Sequence, residues 1–494
     1  ISFSGWGPRE LSAAMAFTIF SGDPLLGVSI SIIVGVISII SLISHWIISI
    51  IIPKTAKEIN YLSTRNFKSH SESIIAFIGM FFIPLLIGLQ IRVPTQSNWL
   101  TLNLADPIAI MTGITFFTFI LRHKLMRFVW RVKNFNLGII CFGMTIIYGL
   151  ILGIIKFGSN DWALINRTIG LLILFSYLLS GALIANHFKS ISYKKVVTIF
   201  LYTSFFALAF HNIFLIYIDY LSIKDFGSFS SLFNWNKSYF SGLMQNRNGY
   251  SFALIMFFCL SFNFILYKDK LFYLFTFIFF TLMFFTESRT GLFTSLIISN
   301  LIILFRDKKF NNLIFVWIIF LISFIFKEII ENRLFIYYLM EFSNINFFND
   351  VFVSDLFYNF ETPDNLRIFS YQEGFKVFLS SPFIGSGLGY FIEHSQNIIG
   401  EEVIIHNTML WILTEMGLIG LIVFSVLPVI IIFHLYKSFK NGLKTVDIVL
   451  LFIILSSLIY SQAHEIIYQR IFWFAIGFVI VNQNTKLRNV VLNS

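Results

Sequence analysis

The chain reads as an all-α integral membrane protein with about 12–14 transmembrane helices and a large outer-face loop. Three observations predict this. Hydrophobic residues make up 57% of the 494 residues and charged residues only 12%. A soluble domain carries about 25% charged residues, so too little charge is present to coat a solvated surface. The apolar residues come in continuous runs near the ~20 residues a helix needs to cross a bilayer, not in the alternation of a membrane β-barrel. The basic residues keep to every second gap between the runs. An ordinary cytosolic enzyme, a disordered chain and a disulfide-stapled secreted domain are excluded by this balance. Cys141 and Cys259 lie inside apolar runs and carry no message about redox compartment.

Taken in order, the spans fall near 27–52, 73–91, 104–121, 136–156, 164–186, 195–218, 249–267, 271–286, 289–305, 311–330, 407–436, 446–461 and 470–482. Those at 271–286 and 446–461 are short, which predicts tilt or local mismatch. Residues 10–22 are apolar but too short to span. The organisation is an N-terminal prefix, 1–70, with one span or hairpin and a basic loop, followed by a helix bundle, 71–330, carrying an outer loop at 219–248. A large outer loop, 331–406, and C-terminal helices with a short tail, 407–494, complete it.

The gaps at 53–72, 122–134, 187–195, 268–270, 306–310 and 437–445, with the tail 483–494, hold most of the 35 Lys and Arg residues. They alternate strictly with 92–103, 157–163, 219–248, 287–288, 331–406 and 462–469. The positive-inside rule places the basic set in the cytoplasm and the other set outside. The net charge of +10 is thereby a matter of topology and not of a nucleic-acid partner. Long loops carry function where other connectors are short, so chemistry is expected on the outer face. No Walker or Rossmann glycine pattern is present, which argues against an ATP-driven pump and against a transferase using cytoplasmic nucleotide-sugars.

Three polar clusters open spans at this face: Gln245-Asn246-Arg247-Asn248, Glu287-Ser288-Arg289-Thr290-Gly291 and His406-Asn407-Thr408. Asn and Ser suit N-caps, and helix N-termini present free N–H groups and the positive dipole end. Converging ends that carry Arg247, Arg289 and His406 suit an anion at the membrane surface, such as a pyrophosphate on a lipid carrier. Plainer readings stand beside this one: an interfacial, snorkelling anchor for Arg247 and an ordinary interface histidine for His406. His394 with Glu401 or Glu402 has no helical metal-ligand spacing, so no metal and no cofactor is expected. In a continuous helix, Gly417 shares the His406 face, while Glu415 lies opposite and about 13 Å deeper. The role expected of Glu415 is a buried polar tie between spans. The large loop holds Tyr337, Tyr338, Phe357, Tyr358, Tyr371 and Tyr390, with carboxylates from Glu341 to Glu393, which suit sugar hydroxyls. An aromatic content of 18% would also scatter such residues there.

The run His406-Asn407-Thr408-Met409-Leu410-Trp411-Ile412-Leu413-Thr414-Glu415-Met416-Gly417-Leu418-Ile419-Gly420 resembles the signature of the O-antigen ligase/polymerase superfamily. There, a His-Asn pair precedes a Gly-x-x-Gly at the end of a large outer loop. Upstream, Arg367 followed by Ser381-Pro382-Phe383-Ile384-Gly385-Ser386-Gly387-Leu388-Gly389 is similar to the family's Arg and Pro-x-x-Gly-x-Gly. The Asn246-Arg247-Asn248 and Ser288-Arg289-Thr290-Gly291 helix starts also look like family features. The resemblance spans residues 70–482, most firmly after 240.

The resemblance implies a membrane-embedded, GT-C-like, metal-independent glycosyltransferase. Its donor would be a glycan on undecaprenyl pyrophosphate, and its acceptor would sit at the outer face of the inner membrane. A polymerase uses a lipid-linked repeat unit as acceptor, and a ligase uses lipid A–core or protein. The polymerase is the preferred reading. His406 would serve the acceptor hydroxyl as general base or orienting group. Arg247, Arg289 and Arg367 would hold the donor pyrophosphate, with Asn246, Asn248, Ser288, Asn407 and Glu415 in support. Membrane lipids and a chain-length regulator are the further partners implied. A secondary transporter and a non-catalytic scaffold are the readings from other classes. The spans hold few charges and no matched broken-helix pairs, which argues against transport.

Overall fold

The computed structural model describes residues 70–94, 99–122, 129–158, 162–220, 240–244, 246–265, 269–307, 311–331 and 363–482. The expected span at 27–52 lies outside these residues, as do Gln245 and the loop residues Tyr337 to Glu361. The chain runs through α1 (His70–Leu86), an antiparallel ribbon of β1 (Gln90–Pro94) and β2 (Trp99–Asn103), α2 (Asp106–Arg122) and α3 (Phe135–Phe157). A π-helical stretch (Trp162–Ile169) then feeds α4 (Gly170–Tyr220). There follow α5 (Arg247–Ile265), α6 (Asp269–Phe285), α7 (Arg289–Asp307), α8 (Asn311–Glu331), α9 (Pro363–Ser380), α10 (Tyr390–Ile399), α11 (Thr408–Lys440), α12 (Thr445–Ser461) and α13 (Arg470–Ile480). The fold is that of an all-α integral membrane protein with one small ribbon.

Among the described residues, five helical segments are long and apolar enough to cross a membrane: Phe135–Phe157, Trp162–Phe188, Ile191–His211, Arg289–Arg306 and Thr408–Lys440. Glu72–Leu86, Phe272–Phe285, Thr445–Ser461 and Arg470–Ile480 are apolar but shorter. Two connections differ from expectation. The loop at 92–103 is largely the β1–β2 ribbon, with Ile91 opposite Leu102 and Val93 opposite Leu100. Its residues alternate apolar and polar, the pattern of a strand. The loop at 187–195 is helical throughout. Gly181 packs on the backbone of Phe474 and Phe478, and the Tyr193 hydroxyl donates to the Phe478 carbonyl at 2.9 Å. A straight helix would separate Gly181 and Tyr193 by ~18 Å. Both nonetheless reach Phe478, so α4 is not straight between them.

Small residues let the helices meet closely, as membrane bundles require. A Cβ on Gly477 would lie 2.0 Å from the Leu178 carbonyl oxygen, and one on Gly181 2.3 Å from that of Phe474. The backbones of α4 and α13 thus touch. At the end of the bundle away from His406, Asp447 is buried and accepts from Arg131 at 2.5 Å, from His434 at 3.1 Å and from Ser438. That cluster ties α11, α12 and the segment before α3 together.

The main surprise lies in α11. It is not continuous: Gly417 has φ 65° and ψ −168°. The break frees backbone groups in the interior, where unpaired ones are costly. Pro382–Leu388 takes them up. Ser386 N–H donates to the Thr414 carbonyl at 3.0 Å and Gly387 N–H to that of Glu415 at 2.8 Å. In return, Leu418 N–H donates to the Pro382 carbonyl at 2.9 Å and Ile419 N–H to that of Phe383 at 3.0 Å. The loop is held from its other side by α3. Lys156 Nζ donates to the Gly385 carbonyl at 2.6 Å, the Tyr148 hydroxyl to that of Ile384 at 2.9 Å, and Leu388 N–H to that of Gly149 at 2.8 Å. The two glycine-rich motifs are one interlocked unit. The helical projection that placed Gly417 on the face of His406 does not hold across this break.

Candidate active site

The helix starts of α5, α7 and α11 meet the α12–α13 connection at one end of the bundle. Asn246 Oδ1 accepts from Asn248 N–H at 2.8 Å and shapes the entry to α5. Ser288 caps α7: its Oγ accepts from Gly291 N–H at 3.2 Å and donates to Asn248 Oδ1 at 2.8 Å. Tyr460, from the end of α12, lies between these two starts. Its hydroxyl is bonded to Ser251, lies 3.3 Å from Ser288 Oγ and donates to the Asn248 carbonyl at 3.2 Å. Asn407 caps α11 by accepting from Leu410 N–H at 2.9 Å, and its amide donates to the Gln462 carbonyl at 3.2 Å.

Residues 462–470 are fixed from several sides. Thr408 Oγ1 donates to the His464 carbonyl at 3.1 Å, and the Tyr371 hydroxyl donates to that of Gln462 at 3.2 Å. Arg167 grips both oxygens of Glu465, with Nη2 at 2.6 Å, and its guanidinium lies over the rings of Trp162, Trp411 and Tyr468. Arg470 grips Asp106 in the same two-pronged way at 2.6 and 2.8 Å. The result is to hold the His464 ring 6.3 Å from that of His406, edge to face, and 5.2 Å from that of Tyr460.

The electrostatics show which charges reach this point. Burial, with the charge of Arg367 second, holds His406 below the ordinary histidine value. Burial, then Arg367, His406 and Arg247, push His464 down to about 3. Both shifts favour the neutral imidazole; the Arg367 charge acts on both rings and that of Arg247 on His464. Arg247 opens α5 and forms an ion pair with Glu287 at 3.7 Å. Lys327, near the end of α8, approaches the same carboxylate at 3.7 Å. Arg367 lies in the first turns of α9, so the expected loop segment is helical there. Arg289 opens α7 with an exposed side chain, one residue beyond Ser288. Glu415 lies deeper, 1% exposed, accepting from Trp411 Nε1 at 2.7 Å and from Gly389 N–H at 3.1 Å. It ties α11 to the start of α10. Of the large-loop residues, Tyr390 stacks on His394, and Glu373 pairs with Lys376. Among the described residues no three His, Cys, Asp or Glu side chains form a metal-binding group.

Residues 274–425 match the family described as O-antigen ligase. The match supports the resemblance to the O-antigen ligase/polymerase superfamily drawn from the sequence. The matched domain takes in Ser288, Arg289, Arg367, the interlocked glycine loops and His406. Members of the superfamily are glycosyltransferase-like enzymes with lipid-linked glycan substrates. No curated protein matches the chain. Arg247 precedes the matched domain, and His464, whose ring lies beside that of His406, follows it.

The sequence reading missed His464, Tyr460 and Lys327. His464 was legible only as a lone histidine in a short polar gap on the His406 side of the bundle. Lys327 was legible as a cation near the end of a span that approaches the same side.

Proposed function

We propose that the chain is a membrane glycosyltransferase that polymerises undecaprenyl-pyrophosphate-linked repeat units at the outer face of the inner membrane. The observation that supports the reading is that the Arg367 charge acts on His406, and with that of Arg247 on the neighbouring His464, where three helix starts converge. Glycosyl transfer from such a donor breaks the bond between the anomeric carbon and the pyrophosphate oxygen, and negative charge develops on the leaving group. Guanidiniums and helix N-termini aimed at that charge stabilise the transition state. Arg247, Arg289 and Arg367 supply the guanidiniums, which match phosphate oxygens in pairs. His406, neutral at working pH, takes the proton of the acceptor hydroxyl as that oxygen attacks. Asn246, Asn248, Ser288 and Asn407 hold the helix starts, and Glu415 anchors the interlocked loops behind them. The ligase reading is favoured by one finding, the description of the matched family. The glycolipids of a deletion strain separate the two. Single repeat units on the core mark a lost polymerase, and long chains stranded on the carrier lipid mark a lost ligase.

Two expected results follow. Purified chain in lipid nanodiscs, given lipid-linked repeat units, extends them, and activity survives exhaustive chelation because protein cations neutralise the pyrophosphate. Activity lost to chelator and restored by magnesium or manganese would reject the metal-independent mechanism. For topology, the exposed positions Glu401 and Asn441 lie at opposite ends of the bundle. A membrane-impermeant maleimide is expected to label Glu401→Cys in spheroplasts and to leave Asn441→Cys untouched. The reverse pattern would move the site to the cytoplasm and overturn the use of an outer-face donor.

A further inference from the structure

We infer that α9 and the turn after it enter the membrane leaflet on the His406 side, with Phe375, Leu379 and Phe383 seated against lipid acyl chains. The inference concerns the surface of the bundle and is independent of the chemistry of the site.

At 100° per residue, Ile368, Phe375 and Leu379 fall within about 40° of one another on α9. They are 52%, 52% and 58% exposed. Ser370, Gly374 and Val377 lie on the opposite face and are buried. A helix in water turns its polar face outward. On α9 the outward face is apolar, bordered along one side by the exposed Gln372 and Lys376. That is the cross-section of a helix at a membrane surface, whose long cation reaches back towards the headgroups. The turn that follows carries Phe383, 68% exposed, and the exposed Ile384.

The neighbouring helices set the depth. α9 descends along the first half of α11. The Tyr371 hydroxyl meets the Gln462 carbonyl, Thr414 Oγ1 donates to the Gly374 carbonyl at 3.0 Å, and the Phe383 carbonyl accepts from Ile419 N–H. Along α11 none of residues 408–418 is exposed, whereas Ile419 and Ile422 are. The exposed apolar face of that helix begins where Phe383 touches it, and α9 continues the surface from there. α3 gives the same level. It is long and apolar enough to cross a membrane, and its exposed face holds Ile147, Ile151 and Ile155. The turn docks on it between Tyr148 and Gly153. Tyr148 lies seven residues short of Ile155, or ~10 Å along the helix, so the turn sits inside the apolar band. Non-helical backbone is tolerated at such depth where the protein pairs its polar groups. The carbonyls of Pro382, Phe383, Ile384 and Gly385 each accept a hydrogen bond, and the N–H groups of residues 385–388 each donate one. What this turn offers outward is the side chains of Phe383 and Ile384. The occupant that matches a surface continuous with the lipid-facing sides of α3 and α11 is lipid.

Spin labels on single cysteines test this in the full-length chain in nanodiscs, with Cys141 and Cys259 replaced by alanine. Labels at Phe375→Cys, Leu379→Cys and Phe383→Cys are compared with Ile151→Cys on the exposed face of α3 and with the exposed Glu401→Cys. The readout is relaxation by oxygen, which concentrates in the bilayer, against relaxation by a water-soluble nickel chelate. The three labels are expected to follow Ile151→Cys, with oxygen the stronger relaxant and its advantage growing from Phe375→Cys to Phe383→Cys as α9 descends. Glu401→Cys should show the reverse order. All three positions are exposed, so folding should survive, and a melting temperature near that of the cysteine-free chain qualifies each variant. Stronger relaxation by nickel at Leu379→Cys and Phe383→Cys places the turn in water and overturns the inference. Weak relaxation by both reagents also overturns it, since another protein surface then covers the stripe. Nickel access at Ile151→Cys would reject α3 as a lipid-facing span and take the inference with it.

Discussion

His406→Ala is expected to lower glycosyl transfer by ~10²–10⁴, the usual contribution of a positioned general base, with donor binding nearly intact. The histidine stands at the mouth of α11 with Asn407 capping the helix behind it, so truncating its ring leaves the cap and the Thr408 contact in place. The pH profile tests the role more sharply than the loss of rate. A base must be neutral, so kcat/KM rises as pH rises through the free-enzyme pKa of His406. Burial and the Arg367 charge hold that pKa below the ordinary histidine value. The rise is therefore complete at lower pH than an unperturbed imidazole near ~6.5 would give. Arg367→Gln removes the like-charge repulsion but leaves the burial. The inflection should shift upward, part of the way to the ordinary value, while the maximum falls through weaker donor binding. Arg289→Lys should recover only part of what Arg289→Ala loses, because a point charge lacks the planar fork. Normal turnover in a well-folded His406→Ala protein would sink the assignment, as would loss of donor binding in place of chemistry.

The reach of sequence reasoning follows from which forces are local. Hydropathy is local, so the long apolar helices Phe135–Phe157 and Thr408–Lys440 fall where their runs predicted them. Strand pairing within a short ribbon is also local. The alternation of Ile91, Arg92 and Val93 with Leu100, Thr101 and Leu102 carried that signal, obscured by the choice of helix as the only membrane element. The break at Gly417 was not legible, since a glycine inside an apolar run costs a helix only ~1 kcal/mol. What bends the helix there is a loop some thirty residues upstream in sequence. His464 is the same kind of case. Its neighbours Gln462, Ala463 and Glu465 say nothing of its surroundings, which are assembled from α5, α9, α11 and α12. The helix starts that hold Arg247 and Arg289 were legible because capping chemistry is local. The pairing of Ser288 with Asn248, which brings those starts together, was not.

The interlock at Gly417 leads to the second large effect. Gly417→Ala is expected to abolish stable folding, or to lower the melting temperature in detergent sharply and remove transfer with it. At φ 65° and ψ −168° the residue occupies backbone space in which an added side chain is strained, at a cost of ~1–3 kcal/mol. A Cβ there would also lie 2.4 Å from the Phe383 carbonyl oxygen and 2.5 Å from the Gly385 nitrogen. The loop has no room to retreat. Gly385, at φ 80°, meets Met416 and Gly417 from the other side, with its own Cβ position 2.5 Å from both backbone nitrogens. Gly387 is packed equally hard on Gly153 of α3. Pushing the loop away strips the partners from Thr414, Glu415, Leu418 and Ile419, and each buried backbone group left unpaired costs ~1–3 kcal/mol. Together these terms are comparable to the ~5–15 kcal/mol that holds a typical fold. Gly143→Ala provides the contrast. That glycine lies inside α3 with nothing within 4 Å of a Cβ, so alanine there should be neutral or slightly stabilising. If Gly417→Ala instead melts and turns over like the wild-type chain while Gly143→Ala does the same, the docked loop does not hold the broken helix. Glu415 and the His406 end of α11 would then need another support.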